Sequence, residues 1–102
     1  MLTVTLKRNG SAAVLLLSGR IDANTADDLE KTLLEQSERF ESITLDFSKV
    51  PYISSAGLRT LRKLNRAIRA KDGTLRIRNV RKDVMDIFQV TGFISLLDID
   101  DE

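Results

Sequence analysis

The sequence predicts an α/β fold: a mixed β-sheet with helices packed against it, in the order β-β-α-β-α-β-α. Three observations lead there. Short apolar segments of strand length recur at Leu2–Leu6, Ala12–Leu17, Ile43–Phe47 and Leu75–Arg78. Longer segments between and after them place apolar residues at helical spacing, on one face only. Strand, helix and strand then follow one another twice, after the second and the third strand, which is the crossover that lays parallel strands in one sheet beneath their helices.

Leu2-Thr3-Val4-Thr5-Leu6 alternates apolar residues with threonine, the pattern of a strand with one wet side. Asn9-Gly10-Ser11 is turn chemistry, because Asn and Gly both tolerate positive φ. Ala12 to Leu17 is apolar without alternation, as expected of a strand covered on both faces. The two strands are expected to form a hairpin, and Gly19 ends the second. In the loop that follows, Asn24 with Asp27, or Thr25 with Asp28, has the spacing of a helix cap and its third residue, and acids in a first turn suit the helix dipole. Ala26, Leu29 and Leu33 share one face of that helix. After the strand Ile43–Phe47, Pro51 lacks a backbone donor, so pairing cannot run cleanly through it. A helical pattern then begins near Leu58 and carries Leu58, Leu61, Leu64 and Ile68 on one side and Arg59, Arg62, Arg66 and Arg69 on another. Gly73 is expected to close it at the C′ position. Leu75-Arg76-Ile77-Arg78 alternates as a half-solvated strand. Val80, Val84, Ile87, Phe88 and Thr91 mark a third helix closed by Gly92. Phe93–Leu97 is expected to pack back on the core, and Asp98–Glu102 to be a solvated acidic tail.

Composition narrows the function. Residues 1–102 suffice for one domain, able to bury roughly 60–70% of its unfolded surface. The chain has no Cys and no His. It therefore lacks thiolate chemistry and the commonest general base and metal ligand. No apolar run approaches the roughly 20 residues of a membrane span, and the N-terminus shows no secretory pattern. A cytoplasmic protein with no metal or cofactor, no direct membrane insertion and no enzymatic activity is the expectation. Charge is unevenly spread: residues 59–82 hold ten Lys or Arg against the single acid Asp72, whereas residues 83–102 hold six acids and no base. Such a basic block can be a nucleic-acid footprint. With one Tyr, no Trp and no recognition motif beside it, stacking partners for single strands are missing, and no nucleic acid is expected to bind.

The stretch around which these elements are organised is Asp46 to Arg59, whose centre is Ser54-Ser55-Ala56-Gly57. A serine at a helix N-terminus can cap the free N–H groups there or carry an anion such as a phosphate. Ser54 and Ser55 are both candidates for either role. The run Asp46-Phe47-Ser48, Val50 and Tyr52-Ile53-Ser54-Ser55-Ala56-Gly57-Leu58, together with Gly19-Arg20-Ile21-Asp22 and Thr25-Ala26, resembles the two signatures of STAS domains, in particular the bacterial anti-anti-sigma factors. Ser54 stands where many members carry Asp.

The resemblance implies the STAS-like sheet topology and a regulated protein-interaction module. Ser55 aligns with the phospho-acceptor; Asp22, Asn24, Thr25, Ser54, Ala56, Gly57, Leu58 and Arg59 fall where the partner is contacted. The implied role is that of an anti-sigma factor antagonist. Its unphosphorylated form binds an anti-sigma factor, a serine kinase of the histidine-kinase-like ATPase fold, and frees the sigma factor. Phosphorylation at Ser55 reverses this and a PP2C-type phosphatase restores it. The alternative from the same family is a STAS subunit of a membrane transport or lipid-trafficking assembly. For Asp22, a loop acid or helix cap competes with the partner-contacting role.

Overall fold

A computed structural model describes residues 2–99. Two strands open the chain, β1 (Thr3–Asn9) and β2 (Ala12–Ser18). They pair antiparallel from Thr3 opposite Ser18 to Asn9 opposite Ala12. Only Gly10 and Ser11 remain for the turn, and Gly10 takes φ of 64° at its first position, where a tight hairpin of this length requires a left-handed residue. The remaining strands, β3 (Ser42–Lys49), β4 (Thr74–Arg78) and β5 (Asp98–Ile99), add one after another in parallel, so the sheet order is β1-β2-β3-β4-β5. Three helices connect them: α1 (Ala26–Arg39), α2 (Ser55–Ala70) and α3 (Lys82–Thr91). Every crossover steps the same way across the sheet. With the right-handed connection that parallel strands adopt, all three helices fall on one face.

That face is the core. Ala13, Leu15 and Leu17 of β2, Ile43, Leu45 and Phe47 of β3, and Leu75 and Ile77 of β4 are buried, together with Leu29 and Leu33 of α1, Leu61, Leu64 and Ile68 of α2 and Val84 and Phe88 of α3. The Phe47 and Phe88 rings meet with centroids 6.0 Å apart. The expectation that β2 is covered on both faces is corrected. Burial alternates along it, and Val14 and Leu16 are only half-buried on the open face. Their shelter is lateral, from Lys7 and Thr5 on β1 and Thr44 and Asp46 on β3. An unalternating apolar run does not distinguish neighbours in the sheet from a second layer above it.

The end of α2 is corrected too. Asp72, not Gly73, takes the left-handed C′ position, with φ of 60°. The Asp72 N–H donates to the Arg69 carbonyl at 3.0 Å and the Gly73 N–H to the Ile68 carbonyl at 2.9 Å, the paired bonds of a Schellman ending. Glycine is needed at position 73 for space, because a Cβ there would collide with the Glu41 carbonyl oxygen. Gly92 closes α3 in the left-handed region, as expected. A short 3₁₀ turn, Phe93–Ser95, follows, and Leu97 returns to the core while Leu96 stays exposed. The acidic segment begins as structure rather than as a solvated tail: Asp98 and Ile99 form β5, and the Asp98 carboxylate lies 3.5 Å from Arg76 Nε. Asp100, Asp101 and Glu102 of that segment lie outside the described residues. Among those described, no helix is long and apolar enough to cross a membrane.

Candidate functional site

The two loops singled out by sequence lie side by side because their backbones are hydrogen-bonded to each other. The β2–β3 ladder slips register between Leu16 and Ser18 and ends at Lys49. Beyond it the Gly19 N–H donates to the Lys49 carbonyl (3.0 Å), the Ile21 N–H to the Tyr52 carbonyl (3.0 Å) and the Ser54 N–H to the Ile21 carbonyl (2.8 Å). Ile21 and Ile53 form an isolated parallel bridge, and both side chains are buried. Residues 19–22 and 49–54 thus make a continuous platform at the end of the sheet, and α2 starts from it.

At the head of α2 the two serines differ in what their hydroxyls engage. Ser54 is the N-cap: its backbone is extended and its hydroxyl accepts the Gly57 N–H at 3.3 Å. Ser55 is the first helical residue, exposed, and no described residue hydrogen-bonds its hydroxyl. The helix therefore begins three residues before Leu58. Its first turn contains no acid, so the positive end of the dipole is unopposed beside that hydroxyl.

Ala56 is half-buried and Arg59 is exposed. Gly57 and Leu58 face the interior. Gly57 is buried, and a Cβ on it would come within 2.5 Å of Ile21 Cγ2 and 2.7 Å of Ile53 Cγ1. Leu58 is likewise buried. The small residue is there so that α2 can press its first turn onto the Ile21–Ile53 bridge.

The neighbouring loop is closed upon itself. Asp22 Oδ1 accepts the N–H groups of Asn24 (2.9 Å) and Thr25 (3.2 Å). The Thr25 hydroxyl accepts the Asp22 N–H at 3.0 Å and donates to the Arg20 carbonyl at 3.0 Å. The expected Asn24–Asp27 or Thr25–Asp28 cap is corrected accordingly. Thr25 occupies the N-cap position of α1, but its side chain makes no cap bond. The acceptor for the entering turn is the Asp22 carboxylate, three residues earlier. Asn24 is exposed, and together with Thr25 it borders a groove lined by Leu2, Val4 and Leu29.

Two residues to which the sequence reading gave no site role join the platform. The Arg20 guanidinium lies over the Tyr52 ring, 4.5 Å from its centroid, and Arg20 Nε is 3.7 Å from Asp22 Oδ2. The signal for this pair was faint, a lone Tyr beside the lone Pro and a basic residue in the other loop. Asp46, by contrast, serves the other face of the sheet. Burial pushes its carboxyl pKa up, but the Ser48 N–H and hydroxyl, the Asn79 amide and the Arg78 guanidinium more than offset this and hold it below the ordinary carboxylate value. Asn79 Nδ2 donates to it at 2.9 Å and Arg78 Nε lies at 3.4 Å, which ties β3 to the end of β4.

Chemically, the site offers an accessible hydroxyl at a positive helix end, framed by a hydrogen-bonded two-loop platform. Among the described residues no base touches the hydroxyl, so none of them activates it as a nucleophile.

Known proteins are similar to this chain in sequence and in fold. BtrV of Bordetella bronchiseptica is 28% identical over 97 residues, which cover 94% of this chain and 84% of that protein. The anti-sigma-B factor antagonist of Bacillus subtilis is 24% identical over 98 residues, 96% of this chain and 90% of that one. Solved structures of the Bacillus anti-sigma factor antagonist SpoIIAA have the same fold. Its unphosphorylated form superposes with a TM-score of 0.75 at 16% identity, covering 98% of this chain and 89% of that one. Its phosphorylated form gives 0.74 at 16% identity, covering 98% and 93%. Residues 3–102 match the STAS domain family, and to that family this chain belongs.

Proposed function

We propose that this chain is an anti-sigma factor antagonist whose binding is switched at Ser55. In the unphosphorylated state it binds an anti-sigma factor, a serine kinase of the histidine-kinase-like ATPase fold, and so releases a sigma factor. Phosphate on Ser55 ends the interaction, and a PP2C-type phosphatase restores it. The observation that carries this reading is the division between the serines: the Ser54 hydroxyl is engaged as a cap, whereas Ser55 is exposed with its hydroxyl free. The names of the relatives, anti-sigma factor antagonists among them, support it. Nucleotide and phosphoryl-transfer chemistry belong to the partner; this domain supplies a docking surface and an acceptor.

A phosphate adds about −1.5 to −2 charges. At the amino end of α2 it meets free N–H groups and a positive dipole end, so the fold tolerates it. The partner feels it instead. A like charge at about 4 Å costs on the order of 4 kcal/mol at an effective dielectric of 20, which lowers affinity by nearly three decades. Pull-downs from native extract with wild type, Ser55→Ala and Ser55→Asp test this. Wild type and Ser55→Ala should recover an anti-sigma factor kinase, Ser55→Asp should not, and phosphopeptide mapping should place the phosphate on Ser55. Phosphate confined to Ser54, or recovery of a transporter component in place of the kinase, would overturn the reading.

A further inference from the structure

The exposed face of α2 carries a second feature. Arg59, Arg62, Arg66 and Arg69 are all exposed, and at 3.6 residues per turn they fall with Ser55 inside an arc of about 80°. Ser55 is thus the first position of a single-file row. From Arg59 to Arg69 the row is about 15 Å long, roughly one guanidinium per 5 Å. α2 contains no Asp or Glu. Among the described residues no carboxylate pairs with any of the four; Arg69 Nε makes only a 3.4 Å bond to Asn65 Oδ1. Lys63, which lies off the row, is the one tied down, 3.4 Å from Glu30 on α1.

An ordinary solvated face is the simplest explanation of such a row, and α1 shows what one looks like here. Its surface mixes Asp27, Asp28, Lys31, Glu35, Glu38 and Arg39. Like charges at three- and four-residue spacing destabilise a helix. α2 accepts three such contacts in succession with no relief from within the fold.

We propose that this row is a docking rail for an acidic protein surface, one whose carboxylates repeat at about 5 Å, as glutamates at i, i+4, i+7 and i+11 of a helix do. The inference rests on the antagonist reading for the identity of the partner and deepens it. Phosphate on Ser55 enters at the head of the rail and offsets nearly half of its four positive charges. It therefore opposes docking along the whole of α2 and not only at the point of contact. A single-file row on one helix, without aromatic side chains between the charges, suits a protein carboxylate row better than nucleic acid, whose bases ask for stacking partners.

The test uses the full chain and three probes at about 0.15 M salt: an alanine-rich helical peptide with glutamate at that spacing, a charge-balanced scramble of it, and duplex DNA. Binding is read by amide shift perturbation. The acidic peptide should shift residues 59–69 selectively. Its affinity should fall about fivefold in Arg62→Gln/Arg66→Gln, as loss of two exposed charge pairs implies, and fall again in Ser55→Glu. Lys7→Gln/Lys82→Gln, which removes as much charge elsewhere, should leave the affinity unchanged. Shifts spread evenly over all basic residues, an unaffected arginine pair, tighter binding of DNA than of the peptide, or self-association that occupies the row would each overturn the proposal. The outcomes separate the two readings: a rail that binds the peptide while Ser55 is never phosphorylated sinks the switch alone, and a phosphorylated Ser55 with an inert rail sinks the rail alone.

Discussion

The heads of α1 and α2 stand side by side on one platform and are built in opposite ways. α1 is self-sufficient. The Asp22 carboxylate accepts two N–H groups of its entering turn, Asp27 and Asp28 occupy its first turn, and the Thr25 hydroxyl is spent within the loop. α2 is under-satisfied. It has a serine cap, no acid in the first turn, a free hydroxyl on Ser55 and arginines below. The first satisfies its entering turn from within its own loop. The second leaves a positive end and a hydroxyl for something else to complete. Packing is opposite in sense too, because α2 reaches its place only through the missing Cβ of Gly57.

The largest way to break the contrast is at that glycine. Gly57→Val drives two branches into the space held by Ile21 and Ile53 and should cost about 3 kcal/mol, the upper range for overpacking. Denaturant melts would read it, and partner binding should be lost with the tilt of α2. An unchanged midpoint would mean that α2 does not depend on close seating at the platform.

Next in size is an acid test. Asp46, like the head of α1, depends on a carboxylate, whereas α2 is capped by a hydroxyl that does not titrate in this range. Because the folded pKa of Asp46 is lowered, its contribution is complete above the unfolded carboxylate value, near 4, and is lost as pH falls through the still lower folded one. Asp46→Ala removes the charged acceptor of the Asn79 and Ser48 donors and should cost about 2 kcal/mol at neutral pH. The gap from wild type should close below about pH 4. A gap that persists into strong acid would show that packing, not the charge, is what the substitution removed. Smaller still, Asp22→Ala should cost about 1 kcal/mol, the usual value of a cap. It should speed amide exchange at Asn24 and Thr25 while leaving Gly57 protected. Equal loosening of both loops would mean that the heads are not independently built.

How much of this was legible in the sequence follows from how local each cause is. The faces of α2 are set by spacing alone, so Leu61, Leu64 and Ile68 inside and the arginines outside could be read directly. The hairpin turn at Gly10 and the end of α3 at Gly92 are local as well. Assigning the cap to Ser54 required the first turn of α2 to be placed, and that is decided by Ile21, more than thirty residues away. The inward face of Gly57 has the same distant cause. A strand of two residues such as β5 has no period to detect, and the left-handed Asp72 next to Gly73 reverses the usual preference because the Glu41 carbonyl already claims the glycine.

The finest comparison puts the same charge on both heads. An acid in a first turn stabilises a helix by about 0.3–1 kcal/mol through the dipole. α1 already has that contribution from Asp27 and Asp28, while α2 lacks it. Ser55→Asp should therefore raise the melting temperature, with a further few tenths of a kcal/mol from Arg59 one turn on, at the i, i+4 spacing. Asp27→Asn with Asp28→Asn should lower it by a comparable amount. Salt should shrink both effects together, because both charges are exposed. The opposite signs matter for the proposed switch. If a negative charge at residue 55 strengthens the fold, any loss of partner binding in Ser55→Asp belongs to the interface and not to unfolding. A Ser55→Asp protein that melts below wild type would remove that argument and would mean that the head of α2 is closed in a way its free hydroxyl does not suggest.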